Sequence, residues 1–140
     1  MRPDINTIIE TVTQWDGITA QPHRFGGVEF NLGKVEIGHV HSNGLVDIPF
    51  TRKLREALVA HGDAQPHHLL HDSGWISFYL RQPADVAQAL RLYRLSYLQK
   101  GSRRGRSLDV GAELTALKFA DNVNGLLTHS HDEPADDVHA

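Results

Sequence analysis

The sequence predicts one α+β domain, a mainly antiparallel sheet packed with about three helices, with a further helical segment available near the C-terminus. Three observations carry this. Apolar residues recur at helical spacing in three separate stretches, between Ile5 and Val12, Leu54 and Val59, and Val86 and Tyr97. Apolar and polar residues alternate from Val28 to His41, as in half-buried antiparallel strands. A β-branched and aromatic run, Trp75 to Leu80 (WISFYL), reads as a strand. A chain of 140 residues is of single-domain size.

Taken in order, Asp4 is placed to cap the first helix, after Pro3, and Ile5, Ile8, Ile9 and Val12 form its apolar stripe. Asp16-Gly17 ends it. Ile18 to His23 reads as a short strand, and Gly26-Gly27 as a bend or a close backbone approach. Val28 to Leu32 and Lys34 to His41 read as a hairpin around Gly33, and Asn43-Gly44 supplies a second tight turn into Leu45 to Ile48. Thr51 is the expected cap of the second helix, with Leu54, Leu58 and Val59 inward and Gly62 at its end. Pro66 makes Ala64 to His71 an edge segment. A third helix starts near Pro83 and Asp85. By this reading residues 1–100 form the α+β domain and 101–107 (GSRRGRS) a basic flexible linker. Residues 108–127 form the further helix and 128–140 a disordered acidic tail.

Composition narrows the function. A net charge of −3 argues against a general nucleic-acid binder, because phosphate recognition needs a basic surface. With no cysteine, disulfides, thiolate metal sites and cysteine nucleophiles are excluded. No signal-peptide run and no membrane-length apolar stretch is present, so a cytoplasmic protein is expected. If the chain self-associates, the C-terminal segment is where a homodimer contact is expected. Ten histidines stand out, seven of them between His23 and His71.

The candidate site centres on Gly33 to Pro49, GKVEIGHVHSNGLVDIP. Residues two apart in a strand share a face. His39 and His41 are therefore expected beside Val35 and Ile37, with Glu36 and Gly38 on the opposite face. The histidine pair reads either as satisfied core-edge residues or as ligands. Asp47, returning after the turn, completes a two-histidine, one-carboxylate set of the kind that holds a divalent metal in non-haem iron oxygenases. A hairpin symmetric about Leu32-Gly33 would put Glu29 opposite Glu36, an unfavourable pair unless solvated, proton-sharing or facing a cation such as Arg24. His67 and His68 precede Ser73 and Trp75 and are candidate substrate contacts. Ser73 lacks a nucleophile-elbow sequence and reads more simply as a strand-entry turn residue.

The segments HRFGGVEF, EIGHVHSNGLVDIPF, HHLLHDSGWISF and LSYL together resemble the luciferase-domain family, over about Trp15 to Leu98. That family includes the fungal luciferases and many small bacterial proteins. Fungal luciferases oxygenate a hispidin-derived luciferin with molecular oxygen and no known organic cofactor. They carry a membrane-spanning N-terminal segment that we do not expect here. The resemblance implies an oxygenase-like activity on a small aromatic or enol substrate, or a non-catalytic ligand-binding or interaction domain on the same scaffold. It supplies no catalytic residues. His39, His41, Asp47, Glu29 and Glu36 are therefore catalytic candidates on chemical grounds, with Arg24, His67, His68, Ser73 and Trp75 around the substrate. Gly33 to His41 is also similar to the first half of the cupin metal motif. The following glutamate and the second cupin motif are absent, so that match is set aside.

Overall fold

The computed structural model describes residues 2–23, 26–70 and 72–129. Helix α1 (Pro3–Val12) leads into strands β1 (Ile18–Pro22), β2 (Val28–Leu32), β3 (Val35–Val40) and β4 (Leu45–Pro49). Helix α2 (Arg52–Ala60), the two-residue β5 (Gln65–Pro66) and β6 (Trp75–Tyr79) follow, then α3 (Asp85–Arg103), α4 (Val110–Leu117) and α5 (Asp121–His129). The six strands form one antiparallel sheet in the order β1-β2-β3-β4-β6-β5. The expected α+β architecture is the observed one. No described helix is long and apolar enough to cross a membrane.

The helices lie on one face of the sheet. Tyr93 of α3 meets the Phe30 ring edge-on at 5.4 Å, and Phe30, Val40, Val46, Ile48 and Ile76 are buried in the same core as Leu92, Leu95 and Leu98. On α1 the expected stripe is buried at Ile5, Ile8 and Val12, while Ile9 only packs against its margin. Asp4 is not the cap. Pro3 starts the helix and Arg2 precedes it, so Asp4 falls in the first turn and accepts from Arg2. Arg2 also donates to the carbonyls of Asn43 (2.6 Å) and Leu80 (2.9 Å), tying the chain's start to the β3–β4 turn and the end of β6. In that turn only Gly44 takes positive φ (93°), with His41 O accepting from Gly44 N. This is a type I turn closed by a left-handed glycine, not a turn with both Asn43 and Gly44 left-handed. Thr51 caps α2 as expected, its hydroxyl accepting from Leu54 N.

The β2–β3 hairpin corrects the expected register. Gly33 (φ 63°) and Lys34 form the two-residue turn, so Leu32 pairs with Val35 and Asn31 with Glu36. The register then slips, and Phe30 pairs with Gly38 and Glu29 with His39. Ile37 is the extra residue of a β-bulge, and each residue after it changes face relative to strict alternation. Glu36 therefore shares a face with His39 and His41, and Glu29 lies opposite His39 rather than Glu36. Helix α3 satisfies carbonyls at the bulge: Ser96 Oγ donates to Ile37 O (2.8 Å) and Tyr93 Oη to His39 O (2.9 Å).

Toward the C-terminus, α3 runs through Arg103, so the first residues expected as linker are helical and Gly101 is buried. Arg106, from the rest of that segment, pairs with Asp16. The single helix expected over 108–127 is two, α4 and α5, separated where Lys118 turns left-handed (φ 62°). The tail from residue 130 onward lies outside the described residues.

Gly27 holds the backbone at His23. His23 N donates to Gly27 O at 3.1 Å, and a Cβ on Gly27 (φ 86°) would stand 2.0 Å from Val40 O and 2.8 Å from His41 Cα. Gly27→Ala is expected to cost about 2 kcal/mol or more in urea unfolding, from backbone strain plus this collision. Gly26→Ala, which meets nothing within 4 Å, should cost only the strain of its positive φ.

Candidate functional site

On the face away from the helices, one row of polar residues crosses all six strands. The pairings Gln21↔Glu29, Glu29↔His39, His39↔Asp47, Asp47↔Ser77 and Ser77↔Gln65 make it continuous. Adjacent positions on this face add Asn31 and Glu36 on one side and Trp75 on the other. Asp47, on a central strand, has a fully buried side chain.

The Asp47 carboxylate gathers donors on both oxygens. Oδ1 accepts from Ser77 Oγ at 2.7 Å, with His67 Nε2 at 3.5 Å and His68 Nδ1 at 3.7 Å. Oδ2 accepts from His41 Nε2 at 2.7 Å, with His39 Nε2 at 3.3 Å. Burial alone would raise the pKa of this carboxyl. The histidine and Ser77 donors overcome that and hold it far below the ordinary carboxylate range, so Asp47 is ionised.

The partners of each ring fix its proton. His67 Nδ1 accepts from the backbone N–H groups of Leu69 and Leu70, both at 3.0 Å, so its proton sits on Nε2, facing Asp47. His39 Nδ1 donates to Glu36 Oε2 at 2.6 Å. Its Nε2 is near Asp47 Oδ2 but not in line for a hydrogen bond. Burial works against a charge on His39, yet the Asp47 and Glu36 carboxylates outweigh it and raise its pKa to about 9. His23 stacks on His39 with ring centroids 4.0 Å apart and meets His41 edge-on at 5.6 Å. Burial, then the neighbouring His39, lowers the pKa of His23. His68 is exposed. Partial desolvation, helped by His67, His41 and His39 against the pull of Asp47, lowers its pKa, leaving it neutral near pH 7.

Residues 34–96 match the family model described as Luciferase domain. This stretch is similar to the luciferase-domain family. It contains Glu36, His39, His41, Asp47, His67, His68, Trp75 and Ser77, whereas His23 and Glu29 precede it. No curated protein and no solved structure matches the chain.

Within this stretch the structure brings together His39, His41, Asp47, Glu36, His67 and His68. Glu29 lies in the row but is held by amide donors, Asn31 Nδ2 at 3.0 Å and Gln21 Nε2 at 3.4 Å. Trp75 is buried beside the cluster, its ring 5.5 Å from that of His39 and 6.0 Å from that of His67. Ser73 takes the turn role: its Oγ donates to Leu70 O (2.6 Å) and accepts from Trp75 N (3.1 Å). Arg24 lies outside the described residues. Two members of the cluster escaped the sequence reading. Ser77 was legible by strand alternation, two residues from Trp75 and facing Asp47. His23 follows the last residue of β1, where no periodicity points to it.

The raised pKa of His39 predicts a pH signature. Its folded value of about 9 lies above the ordinary 6.5. The charged ring therefore stabilises the fold fully below pH 6.5 and loses that contribution as pH rises to about 9. Buried Lys100, held down to about 7 by desolvation and Arg103 against Glu36, has the opposite slope. The comparison with His39→Asn removes the Lys100 contribution. In chelator-treated protein, the stability advantage of the wild type over His39→Asn should shrink between pH 6.5 and about 9 in urea unfolding. An advantage constant across that range would contradict the assignment.

Proposed function

We propose that the chain is an oxygenase-type enzyme acting on a small, acidic enol or phenol. The observation that carries this reading is the ionised carboxylate of Asp47, buried beneath four histidines of which His41 and His68 reach the surface. Such a centre takes up a proton at its exposed edge and stabilises the resulting charge from the buried carboxylate.

His68 is the base. Its Nδ1 faces Asp47 and Ser77, which leaves Nε2 to meet a substrate hydroxyl. Because the ring is neutral near pH 7, it can take the proton, and the Asp47 charge behind it stabilises the imidazolium that results. The enolate's electron pair then forms the bond from carbon to dioxygen. The proton held on His68 returns to the distal oxygen, so enol and dioxygen become a hydroperoxide with no atom or electron unaccounted for. The luciferase-domain match supports this class, as does the position of His68 at the edge of the cluster.

A non-catalytic ligand-binding domain is the second reading, and one observation favours it. A cleft of about 560 Å³ lined by Trp15, Asp16, Arg94, Tyr97, Arg106 and Leu108 contains none of the clustered histidines. Its aromatic rings and arginines suit an anionic aromatic molecule, although Arg94 and Arg106 already pair with Glu113 and Asp16.

Oxygen uptake with a panel of pyrones and polyphenols separates the two. The oxygenase reading expects turnover by at least one member, and a fall of about 10²- to 10⁴-fold in kcat for His68→Asn with KM little changed. No uptake across the panel, with the same compounds still quenching tryptophan fluorescence, would establish the binding domain instead.

A further inference from the structure

We propose that His23, His39 and His41 form a binding site for one first-row divalent transition-metal ion, with Glu36 and Asp47 orienting two of the three rings. One ring nitrogen from each histidine lies within 4.8 Å of the others. Ligands bound to one cation at about 2.1 Å stand roughly 3.0–3.4 Å apart, so the stacked His23 and His39 rings must rotate toward each other to close the set.

Proximity is not the main argument. The His39 side chain is fully buried, and its Nε2 lies 3.3 Å from Asp47 Oδ2 but out of line with it, making no hydrogen bond. A buried nitrogen with a poorly aligned partner is a weak point in the polar network, and a cation that displaces its proton would give it a better one. The hydrogen bonds also leave the right atoms for binding. His39 donates through Nδ1 to Glu36 at 2.6 Å, leaving Nε2, and His41 donates through Nε2 to Asp47 at 2.7 Å, leaving Nδ1. Metal-bound histidines characteristically donate their second N–H to a carboxylate, which fixes the tautomer and raises ligand basicity. Both carboxylates are present. His23 stacks on His39, and its backbone N–H is held by Gly27 O.

The chemistry of the set selects the ion. Neutral imidazoles favour zinc, iron, cobalt, nickel or copper over magnesium and calcium, which want oxygen ligands. Three protein ligands leave a coordination position open for water or a substrate oxygen. Asp47, His67 and His68 also stand close enough together to suggest a site. His67 makes that grouping the weaker one, because its Nδ1 is already taken by two backbone N–H groups and only its Nε2 remains, facing Asp47.

This inference does not depend on the oxygenase reading, and its test reads metal rather than turnover. Chelator-treated full-length protein is titrated with cobalt(II) and followed by visible d–d absorption. One equivalent should bind and raise the melting temperature. His23→Gln and His39→Gln should each abolish the signal, Glu36→Gln should weaken binding about 10- to 100-fold, and His68→Gln should leave it unchanged. His23 lies outside every strand and helix, so His23→Gln decides the matter if His39→Gln fails to fold. No saturable binding, binding that survives His23→Gln in folded protein, or binding lost with His68→Gln would overturn the proposal. Oxygen uptake that persists in chelated protein would leave the oxygenase reading standing by itself.

Discussion

Asp47 has to remain ionised in a place water does not reach, and most of the polar architecture follows from that. A carboxylate stripped of solvent is tolerated only when donors replace the lost water. Here the sheet supplies them by register. His39 on β3 and Ser77 on β6 are the cross-strand partners of Asp47, and His41, His67 and His68 close around the same two oxygens. Removing the carboxylate would leave several buried donors without an acceptor, the kind of loss that costs about 3–5 kcal/mol when a buried pair is broken.

The bulge at Ile37 makes the cluster possible. Without the extra residue, Glu36 would point toward α3 and His39 would lack its second carboxylate. Ser96 and Tyr93 hold the bulge from behind by binding the Ile37 and His39 carbonyls. The helical layer thus does more than bury the apolar face. It fixes the strand irregularity that aims the opposite face.

Much of the fold was legible. The stripe Ile5-Ile8-Val12, the Thr51 cap, the edge position of Pro66 and the strand at Trp75 all follow from local rules that tertiary contacts left intact. His39, His41 and Asp47 were legible as a group because one hairpin brings them together. The face of Glu36 was not, since strict alternation assumes an uninterrupted ladder and Ile37 interrupts it. Gly38, a mid-strand glycine next to the extra residue, was the available sign of irregularity. Splitting the C-terminal helix at Lys118 had no comparable sign, because lysine is an ordinary helix former and rarely turns left-handed.

The claim that Asp47 sets the protonation of the cluster is tested most directly by nitrogen NMR of the histidine rings, in chelated wild type and in Asp47→Asn. The account predicts a wild-type His39 protonated on both nitrogens at neutral pH, beside a His67 that carries its proton on Nε2. In Asp47→Asn, His39 should titrate well below its wild-type value. A His39 whose titration is unmoved by Asp47→Asn would contradict it.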